Sequence, residues 1–441
     1  MNFLRILLLS YPLSFSLYIS AKIIKKVLDG RSLTKILSKL DKTIRPNIQA
    51  LTFHAMRHLG WADFVANQLV SRYPNNLFKC LLLMSLTLLK KEKTEINTYS
   101  LIRPMYDIHT IVNESVKATQ YHFMLKAYKS LLNANLRKFL NNHNIFLAYK
   151  TNLKALWNHQ IWWIELLKTV YPMYWKDILI SANDFPPLTL RVNERQISRD
   201  KVLKKFSQEN IECMSIGKAG IIVKKPKPVR ELPGFDFGWW SVQDIGAQIA
   251  APLLNIKNGM RVLDACAAPG GKATHLLELA DVDLFCVDIE ENRLEYIKKN
   301  VDRLELNSKT VFLKTADVSK LNSWWDGKFF DAVLADVPCT GSGIVRRHPD
   351  IRWLRSADDL KRIAIQQELI LNNLWKVVAP GGNLLYVTCS IFPEEGEYQI
   401  LNFLRNHKDV ICLDSPGQIL PIRNNLFSDG FFYALLYKKI C

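Results

Sequence analysis

The sequence predicts an all-α N-terminal region, a small α/β module and then a Rossmann-like α/β domain with a mostly parallel sheet. Three observations predict this order. Residues 20–150 carry apolar side chains at helical spacing without strand-like alternation. Pro186-Pro187 then marks a boundary in front of a short strand-like run. From Gln243 onward, short apolar strands alternate with helical or loop stretches, which is typical of a parallel sheet covered by helices on both faces.

An apolar stretch, Phe3 to Ala21, opens the chain and has Arg5 near its start, so it could pass for a signal peptide. Pro12 interrupts it, and its Ser and Tyr residues weaken a membrane span. We interpret residues 1–20 as an N-terminal extension, either an extra apolar helix or the product of an upstream start codon. No membrane segment is predicted, and we expect a cytoplasmic protein.

Residues 21–150 are predicted to form a helical bundle. Leu77 to Leu89 is apolar nearly all round, as a helix at the centre of a bundle would be. Ser32 can cap a helix whose apolar residues share one face: Leu33, Ile36, Leu37 and Leu40. Basic residues are predicted to lie on the outside of the first helices: Lys22, Lys25, Lys26, Arg31, Lys35, Lys39 and Lys42.

Positive charge is concentrated in the front of the chain. The 441 residues include 59 Lys and Arg against 41 Asp and Glu, a formal net charge of +18. Residues 1–150 hold 22 basic and 7 acidic side chains, residues 151–230 hold 14 and 7, and residues 231–441 hold 23 and 27. This asymmetry predicts an N-terminal region that binds a polyanion, joined to a C-terminal region that carries out catalysis. The alternative is a solvated basic surface with no partner.

Residues 151–235 are predicted to be a helical linker followed by a small α/β module. Leu188 to Val192 and Ile221 to Val223 have the composition of strands, with the helical stretch Lys201 to Phe206 between them. Lys224 to Arg230 is a basic, Pro-rich linker.

In residues 236–441, a Gly-rich loop joins the first predicted strand to a helix. Ala265-Cys-Ala-Ala-Pro-Gly-Gly-Lys272 follows Val262–Asp264 and has neither P-loop nor GxGxxG spacing. Its glycines allow a ligand close to the backbone, and the start of the helix suits an anion or a carboxylate. Asp288 ends the next strand, where an acid can accept from both hydroxyls of a ribose, and Asp317 follows the third strand, where it could receive an adenine amino group. The ribose acid alone fits a nicotinamide or an S-adenosylmethionine site.

Two cysteines follow two further predicted strands. Asp331–Ala335 leads into Asp336-Val-Pro-Cys339, and Asn383–Val387 leads into Thr388-Cys389. In a parallel sheet the carboxyl ends of strands open on the ligand crevice, so two thiols beside Asp336 suggest covalent chemistry. The alternative for each cysteine is a small buried hydrophobe. The thiol pair favours the methyl donor over a nicotinamide, because hydride transfer needs no nucleophile. The eight cysteines have no zinc spacing, so no metal is predicted.

These segments together resemble the Sun (Fmu) family of RNA cytosine-C5 methyltransferases, in particular its bacterial 16S rRNA branch. The resemblance rests on residues 264–272, 336–343, 346–353 and 388–395, with further matches at residues 187–193, 232–235, 241–244 and 429–432, and it extends over residues 20–441. Val337 and Ala265 depart from the usual family pattern without removing a functional group. The resemblance implies a seven-stranded methyltransferase domain, an RRM-like RNA-binding module and a NusB-type helical RNA-binding domain.

The resemblance also implies the roles of individual residues. Cys389 would be the nucleophile that adds to carbon 6 of cytosine, and Cys339 would assist product release; the residues alone leave these two roles interchangeable. Asp336 would hydrogen-bond the N3/N4 edge of the base and also border the cofactor site. S-adenosyl-L-methionine would be bound by Cys266, Ala267, Ala268, Pro269, Gly270, Gly271, Lys272, Asp288 and Asp317. Lys272 could alternatively be a surface cation.

A basic and aromatic segment follows the first cysteine. Arg346, Arg347, His348 and Arg352, with Trp353, could hold phosphates and a splayed base, so we predict that they contact RNA. The target cytosine must leave its stack to reach a thiol, so an unpaired cytosine is expected. The predicted substrate is 16S rRNA or a small-subunit assembly intermediate, and the predicted state is a monomer. A tRNA substrate and a non-catalytic RNA-binding or antitermination factor are the alternatives.

Overall fold

The computed structural model describes residues 11–90, 104–142, 149–422 and 427–440, so most of the predicted extension, residues 1–10, lies outside the described residues. The chain divides into two compact units. The first contains residues 1–184 together with a returning segment, residues 345–356. The second contains residues 185–344 and 357–441.

The first unit is helical throughout its described residues, as the sequence predicts. The helices of its main segment are α1 (Leu13–Leu28), α2 (Leu33–Leu37), α3 (Arg45–Leu69), α4 (Asn76–Leu89), α5 (Ile108–Ala118), α6 (Phe123–Lys126), α7 (Lys129–Asn141), α8 (Leu153–Trp157), α9 (Ile161–Val170) and α10 (Trp175–Ser181). The returning segment adds a short helix, Ile351–Leu354. Polar side chains fix several helix starts: Ser32 caps α2, Asn75 caps α4 and Asp107 caps α5, each by accepting from a backbone N–H in the first turn.

Helix α4 occupies the centre of the bundle. Leu81, Met84 and Leu86 are fully buried in one hydrophobic cluster that also contains residues of α1, α3, α5 and α7. Helix α1 begins directly after Pro12 and runs across the boundary predicted at residue 20, with Leu17 fully buried in the same cluster. Residues 13–20 therefore contribute to the core of the bundle. No helix within the described ranges is long and apolar enough to cross a membrane.

The second unit begins with the small α/β module. Its four strands are β1 (Leu188–Val192), β2 (Cys213–Ile216), β3 (Gly220–Val223) and β4 (Trp240–Val242), and its helix is α11 (Arg199–Gln208). The sheet is antiparallel with the order β2-β3-β1-β4. Leu190 and Val192 pack with Phe206 of α11 in one core.

The central strands of this small sheet are covered on both faces. Successive residues of a strand point to opposite faces, yet Thr189 and Arg191 of β1 are as buried as Leu190 and Val192. No open face remains at β1 and β3 on which bases could stack. RNA binding by this module stays a prediction. Exposed lysines on α11 are available for it: Lys201, Lys204 and Lys205.

The rest of the second unit is a seven-stranded sheet with helices on both faces. Its strands are β5 (Arg261–Ala265), β6 (Asp283–Asp288), β7 (Val311–Thr315), β8 (Phe330–Asp336), β9 (Val378–Thr388), β10 (Val410–Ile419) and β11 (Phe431–Lys438). The helices are α12 (Ala250–Leu253), α13 (Gly271–Leu279), α14 (Glu291–Arg303), α15 (Ala357–Val377) and α16 (Glu397–Asn406). The order is β10-β11-β9-β8-β5-β6-β7, with parallel pairs from β9 to β7 and antiparallel pairs on both sides of β11.

This sheet confirms the predicted Rossmann-like class and its mostly parallel strands. Neighbouring residues of β5 enter different cores, Val262 on one face and Leu263 on the other. Each predicted strand is present and is extended by up to five residues at its ends. The carboxyl ends of β5, β6, β8 and β9 share one edge of the sheet. That edge carries the Gly-rich loop, Asp288, Asp336 and Cys389.

Candidate active site

The two predicted cysteines meet at the carboxyl ends of adjacent strands. Strands β8 and β9 are parallel, with Asp336 opposite Val387. Cys339 lies three residues beyond the end of β8, and Cys389 directly follows β9. Their Sγ atoms are 3.2 Å apart, and both side chains are half-buried. This contact brings together two thiols that are 50 residues apart in the chain.

The Cys339 thiol holds its proton more firmly than an ordinary cysteine thiol does. The hydrogen bond with Cys389 and burial raise the pKa of the Cys339 thiol well above its ordinary value, and the nearby carboxylate of Glu395 adds to this effect. Cys339 is therefore protonated at neutral pH. An S–H group in contact with Cys389 is available to hydrogen-bond the sulfur of Cys389 when that sulfur carries negative charge.

Lys272 and Asp336 form an ion pair at the same edge. The Lys272 Nζ atom, from the first turn of α13, donates to Asp336 Oδ2 at 2.6 Å. Burial lowers the pKa of Lys272, but the charge of Asp336 outweighs it, so the pKa is raised and the ammonium stays charged. Lys272 is largely buried, so the alternative of a surface cation is not supported.

The Gly-rich loop is held by the acid at the end of the next strand. Asp288 is buried, and its Oδ2 atom accepts from the backbone N–H of Ala268 at 3.0 Å while Oδ1 accepts from that of Glu290 at 3.0 Å. A carboxylate has roughly four acceptor positions, so Asp288 retains capacity for hydroxyl donors. Gly270 has φ +98°, and a Cβ atom there would lie 3.0 Å from Ile297. The loop thus requires glycine at this position to pack against α14.

The other predicted cofactor residues lie at the same edge of the sheet. Cys266 has φ +66°, and burial raises the pKa of its thiol above the ordinary range. Asp317 follows β7, is about one-third exposed, and accepts from the Ser319 N–H at 3.0 Å and its hydroxyl at 2.7 Å. The roles predicted for these residues toward a cofactor stay predictions.

Asp264, near the end of β5, is a residue of this edge that the sequence did not indicate. Its carboxylate is buried, and among the described residues neither oxygen has a hydrogen-bond partner. Burial, followed by the charge of Asp336, raises the pKa of Asp264 well above its ordinary value. A buried carboxyl group with a raised pKa therefore lies within charge-interaction distance of Asp336 and Lys272.

Arg191 of β1 links the small module to the Gly-rich loop, a role that the sequence alone did not reveal. Its guanidinium is fully buried and forms a two-pronged pair with Glu278 of α13, at 2.6 and 2.9 Å. It also donates to the Gly271 carbonyl at 2.6 Å and to Thr274 Oγ1 at 3.1 Å, both in the first turn of α13. A buried arginine thus fixes the start of the helix that follows the loop.

We expect Arg191→Ala to lower the free energy of unfolding by about 3–5 kcal/mol, because it leaves the Glu278 carboxylate buried without its cation. Arg195→Ala is the matched control, since Arg195 pairs with the mostly exposed Asp281 of the same region and its loss is expected to cost about 1 kcal/mol or less. Urea denaturation of both variants measures the difference. Equal losses would show that the buried pair does not stabilise this part of the fold.

The segment predicted to contact RNA belongs to the helical unit. Arg352 is fully buried and donates to the Ala182 carbonyl and to Asn183 Oδ1, each at 2.5 Å. Burial lowers the pKa of Arg352 to about 9. Arg346 is also buried, and its carbonyl accepts from Arg57 at 2.8 Å.

These contacts do not support direct RNA contact by Arg346 and Arg352, because their guanidinium groups are buried within the unit. Arg347 and His348 are half-buried, and the His348 ring lies 3.3 Å from the Thr34 hydroxyl. Contact between these two residues and RNA stays a prediction.

Glu395 is the third residue that the sequence did not indicate, although it lies in one of the segments that carry the family resemblance. It is fully buried and accepts hydrogen bonds from Thr340 and Ser390, the residues that directly follow Cys339 and Cys389. No cluster of three or more His, Cys, Asp or Glu side chains suited to a metal ion occurs in the described parts of the chain.

Comparisons with known proteins match both parts of the second unit. A family model described as 16S rRNA methyltransferase RsmB/F matches residues 251–437. A second model, described as a ferredoxin-like domain of RsmF/B-like methyltransferases, matches residues 159–230 and overlaps the small module. A Yersinia pestis protein named ribosomal RNA small subunit methyltransferase B is 36% identical over 438 residues, which cover 96% of this chain and 98% of that protein.

Solved structures share the fold. The crystal structure of PH0851 has a TM-score of 0.77 at 23% identity and covers 98% of this chain and 100% of that one. The structure of NSun6 from Pyrococcus horikoshii with SFG has a TM-score of 0.57 at 20% identity and covers 64% of this chain and 99% of that one.

Proposed function

The chain belongs to the RsmB/F (Sun/Fmu) family of small-subunit rRNA methyltransferases, and on this premise we propose a specific reaction for it. It transfers a methyl group from S-adenosyl-L-methionine to carbon 5 of one unpaired cytosine in 16S rRNA, through a covalent bond between Cys389 and carbon 6. The observation that carries this proposal is the contact between the Cys339 and Cys389 sulfurs at the edge of the sheet that also holds the Gly-rich loop.

The residues of the Gly-rich loop fit the methyl donor. A Cβ atom on Gly271 would meet only Gln243, at 3.7 Å, so the backbone there is accessible, and Asp288 keeps acceptor positions that suit the hydroxyls of a ribose. Lys272, at the start of α13, can attract a carboxylate. The donor, when bound, supplies the electrophilic methyl carbon. In this proposal Cys266 to Lys272 and Asp288 hold it, with Asp317 near the adenine.

Cys389 supplies the activation that the base needs. Carbon 5 of cytosine is too weak a nucleophile to take a methyl group unaided. When the Cys389 thiolate adds to carbon 6, the S–C6 bond forms and the C5=C6 electron pair makes carbon 5 enamine-like, so one difficult step becomes two easier ones. Asp336 can accept a hydrogen bond from the amino group on carbon 4 of the ring. The Lys272 ammonium lies close enough to Cys389 for their charges to interact.

We assign the attack to Cys389 and the release step to Cys339, as the family resemblance implies. The high pKa of the Cys339 thiol suits a group that keeps its proton. After methyl transfer, the carbon-5 proton leaves and the S–C6 bond breaks with its electron pair on the Cys389 sulfur. The S–H of Cys339 then donates a hydrogen bond to that sulfur and assists release.

The basic helical unit is proposed to dock on the rRNA. Five exposed cations lie on or directly beside its first two helices: Lys22, Lys26, Arg31, Lys35 and Lys39. Such cations bind phosphates without reading the sequence. A NusB-type role fits this charge distribution. Because the proposed substrate is rRNA, we propose that the protein acts in the cytoplasm. We also propose that it acts as a monomer.

We expect bisulfite sequencing of total rRNA and tRNA, from cells with and without the gene, to lose one methylcytosine in 16S rRNA when the gene is absent. Expression of the intact gene restores it, and expression of the Cys389→Ala variant does not. A methylcytosine lost from tRNA alone would favour the tRNA alternative. No lost methylcytosine would favour a non-catalytic RNA-binding factor.

A further inference from the structure

A single buried carboxylate connects the two loops that carry the cysteines. Glu395 has 0% exposure. Its Oε1 atom accepts from the Thr340 backbone N–H at 2.7 Å and from Gln367 Nε2 at 3.2 Å. Its Oε2 atom accepts from the hydroxyls of Thr340 and Ser390, each at 2.5 Å. All four acceptor positions that a carboxylate offers are therefore used.

Most donors to Glu395 belong to residues that are neighbours of the two cysteines in the chain. Thr340 directly follows Cys339, and Ser390 directly follows Cys389, so both loops are tied to Glu395 one residue away from the sulfur-bearing residue. Gln367 of α15 additionally donates to the Pro338 carbonyl at 2.8 Å, on the other side of Cys339. The first cysteine is thus bracketed by contacts that converge on Glu395.

Other contacts also place the two loops side by side, including a 3.5 Å approach of the Thr340 and Ser390 hydroxyls. The Gly343 N–H donates to the Cys389 carbonyl at 2.9 Å, and the Ser342 hydroxyl lies 2.8 Å from that of Ser390. A Cβ atom on Gly343 would lie 2.1 Å from the Gly430 carbonyl oxygen, so the far end of the loop is closely packed. Glu395 contacts Thr340 at two points, the backbone N–H and the hydroxyl, and through Ser390 it ties Thr340 to the second loop.

The negative charge of Glu395 also affects the Cys339 thiol. Burial raises the pKa of Glu395, while the hydrogen bonds from Ser390 and Thr340 oppose that rise. The four donors suit an ionised carboxylate, since a protonated one would have to give up an acceptor position. A negative charge here disfavours a second negative charge on Cys339.

We propose that Glu395 is a positioning residue that holds the Cys339 and Cys389 sulfurs in contact, so that both thiols act on the same base. The inference rests on the proposed function for its catalytic meaning, but the placement of the sulfurs can be measured without RNA. A test of the proposal therefore needs a probe that binds tightly only when the Cys339 and Cys389 thiols are close together.

Phenylarsine oxide is such a probe, because its arsenic bonds to two thiols at once, exchanging its As–O bond for two As–S bonds and releasing one water. We expect the full-length protein to bind it through Cys339 and Cys389, and either Cys→Ala variant to bind it only as an isolated thiol does. Glu395→Gln keeps the shape but removes the charge and replaces acceptor oxygen by an amide NH₂. It is expected to bind the arsenical about 10-fold or more weakly, because the thiols are no longer pre-organised.

Glu394→Gln is the matched control. Glu394 is the neighbouring residue, and its carboxylate has no described hydrogen bond to either cysteine loop. Its variant is expected to bind the arsenical like the unmodified protein. Binding of S-adenosyl-L-methionine, measured by calorimetry, shows whether each variant is folded.

Methyl transfer to 16S rRNA provides the second readout. With saturating methyl donor, Glu395→Gln is expected to lower kcat by about 10- to 100-fold, as a displacement of reacting groups by roughly 1 Å does, and to leave KM for the donor unchanged. A purely structural role would instead lower the amount of folded enzyme and leave the kcat of the folded fraction intact.

Arsenical affinity equal to that of the unmodified protein in a folded Glu395→Gln variant would overturn the proposal. If Glu395→Gln does not fold, Thr340→Val takes its place, since it removes one hydroxyl donor and keeps the backbone N–H; unchanged arsenical affinity in that variant would overturn the proposal equally. If the unmodified protein binds the arsenical through both thiols but methylates no cytosine, the proposed function fails. The arsenical affinities of the variants then still decide whether Glu395 positions the two thiols.

Discussion

Cys389→Ala is expected to abolish methyl transfer while leaving methyl-donor binding intact. Without a sulfur at carbon 6, carbon 5 of cytosine has no enamine character, and the loss in kcat is expected to be on the order of 10⁴-fold or more, as for other enzymes that lose a covalent nucleophile. The donor-binding residues proposed here, Gly270, Gly271 and Asp288, lie on β5–α13 and β6, so the substitution does not touch them.

The measurement is transfer of labelled methyl groups to 16S rRNA from cells that lack the gene, beside calorimetric titration with S-adenosyl-L-methionine. Cys412→Ala is the control, because Cys412 is exposed on β10 and is expected to be dispensable. If Cys389→Ala retains full turnover and Cys339→Ala loses it, the roles of the two thiols are exchanged.

Much of the fold follows from local patterns. A strand buried on both faces needs a short run of apolar residues, and β5, β6 and β8 carry such runs, so their places could be predicted nearly to the residue. The loop Cys266–Lys272 could be predicted for the same reason, because its glycines and the following helix are neighbours in the chain. The juxtaposition of Cys339 and Cys389 needs one further step, since it depends on β8 and β9 being adjacent strands.

The parts that could not be predicted depend on partners far apart in the chain. Arg191 has the appearance of an exposed arginine in a strand until Glu278, 87 residues later, is placed against it. Arg352 lies in a basic segment that suggests RNA binding, yet its partners Ala182 and Asn183 are about 170 residues earlier. Charge in a sequence indicates only that a partner is needed. Whether that partner is RNA or the protein itself is decided by tertiary packing.

Glu395 illustrates the same limit at shorter range. Two adjacent glutamates, Glu394 and Glu395, have the composition of a solvated turn, and nothing local distinguishes them. Only the second is fully buried, because it meets Thr340 from the neighbouring strand end. A buried carboxylate requires donors, and at this site the donors belong to the two loops that carry the chemistry.

Cys339→Ala is expected to trap a covalent complex between the protein and its RNA. The Cys389–C6 bond still forms in this variant, because the attacking sulfur is present. Its cleavage slows, because the departing Cys389 sulfur has lost the S–H group that lies 3.2 Å away and holds its proton firmly. The trapped complex migrates as a shifted band on a denaturing gel, and turnover falls to that of a stoichiometric reaction.

Two further variants make this result specific. The double variant Cys339→Ala/Cys389→Ala is expected to give no band, since no sulfur remains to attack. Cys339→Ser keeps an O–H donor in nearly the same place, so it is expected to accumulate less adduct than Cys339→Ala. Normal turnover by Cys339→Ala, with no adduct on the gel, would refute the release role and leave the contact between the two sulfurs without a function in this reaction.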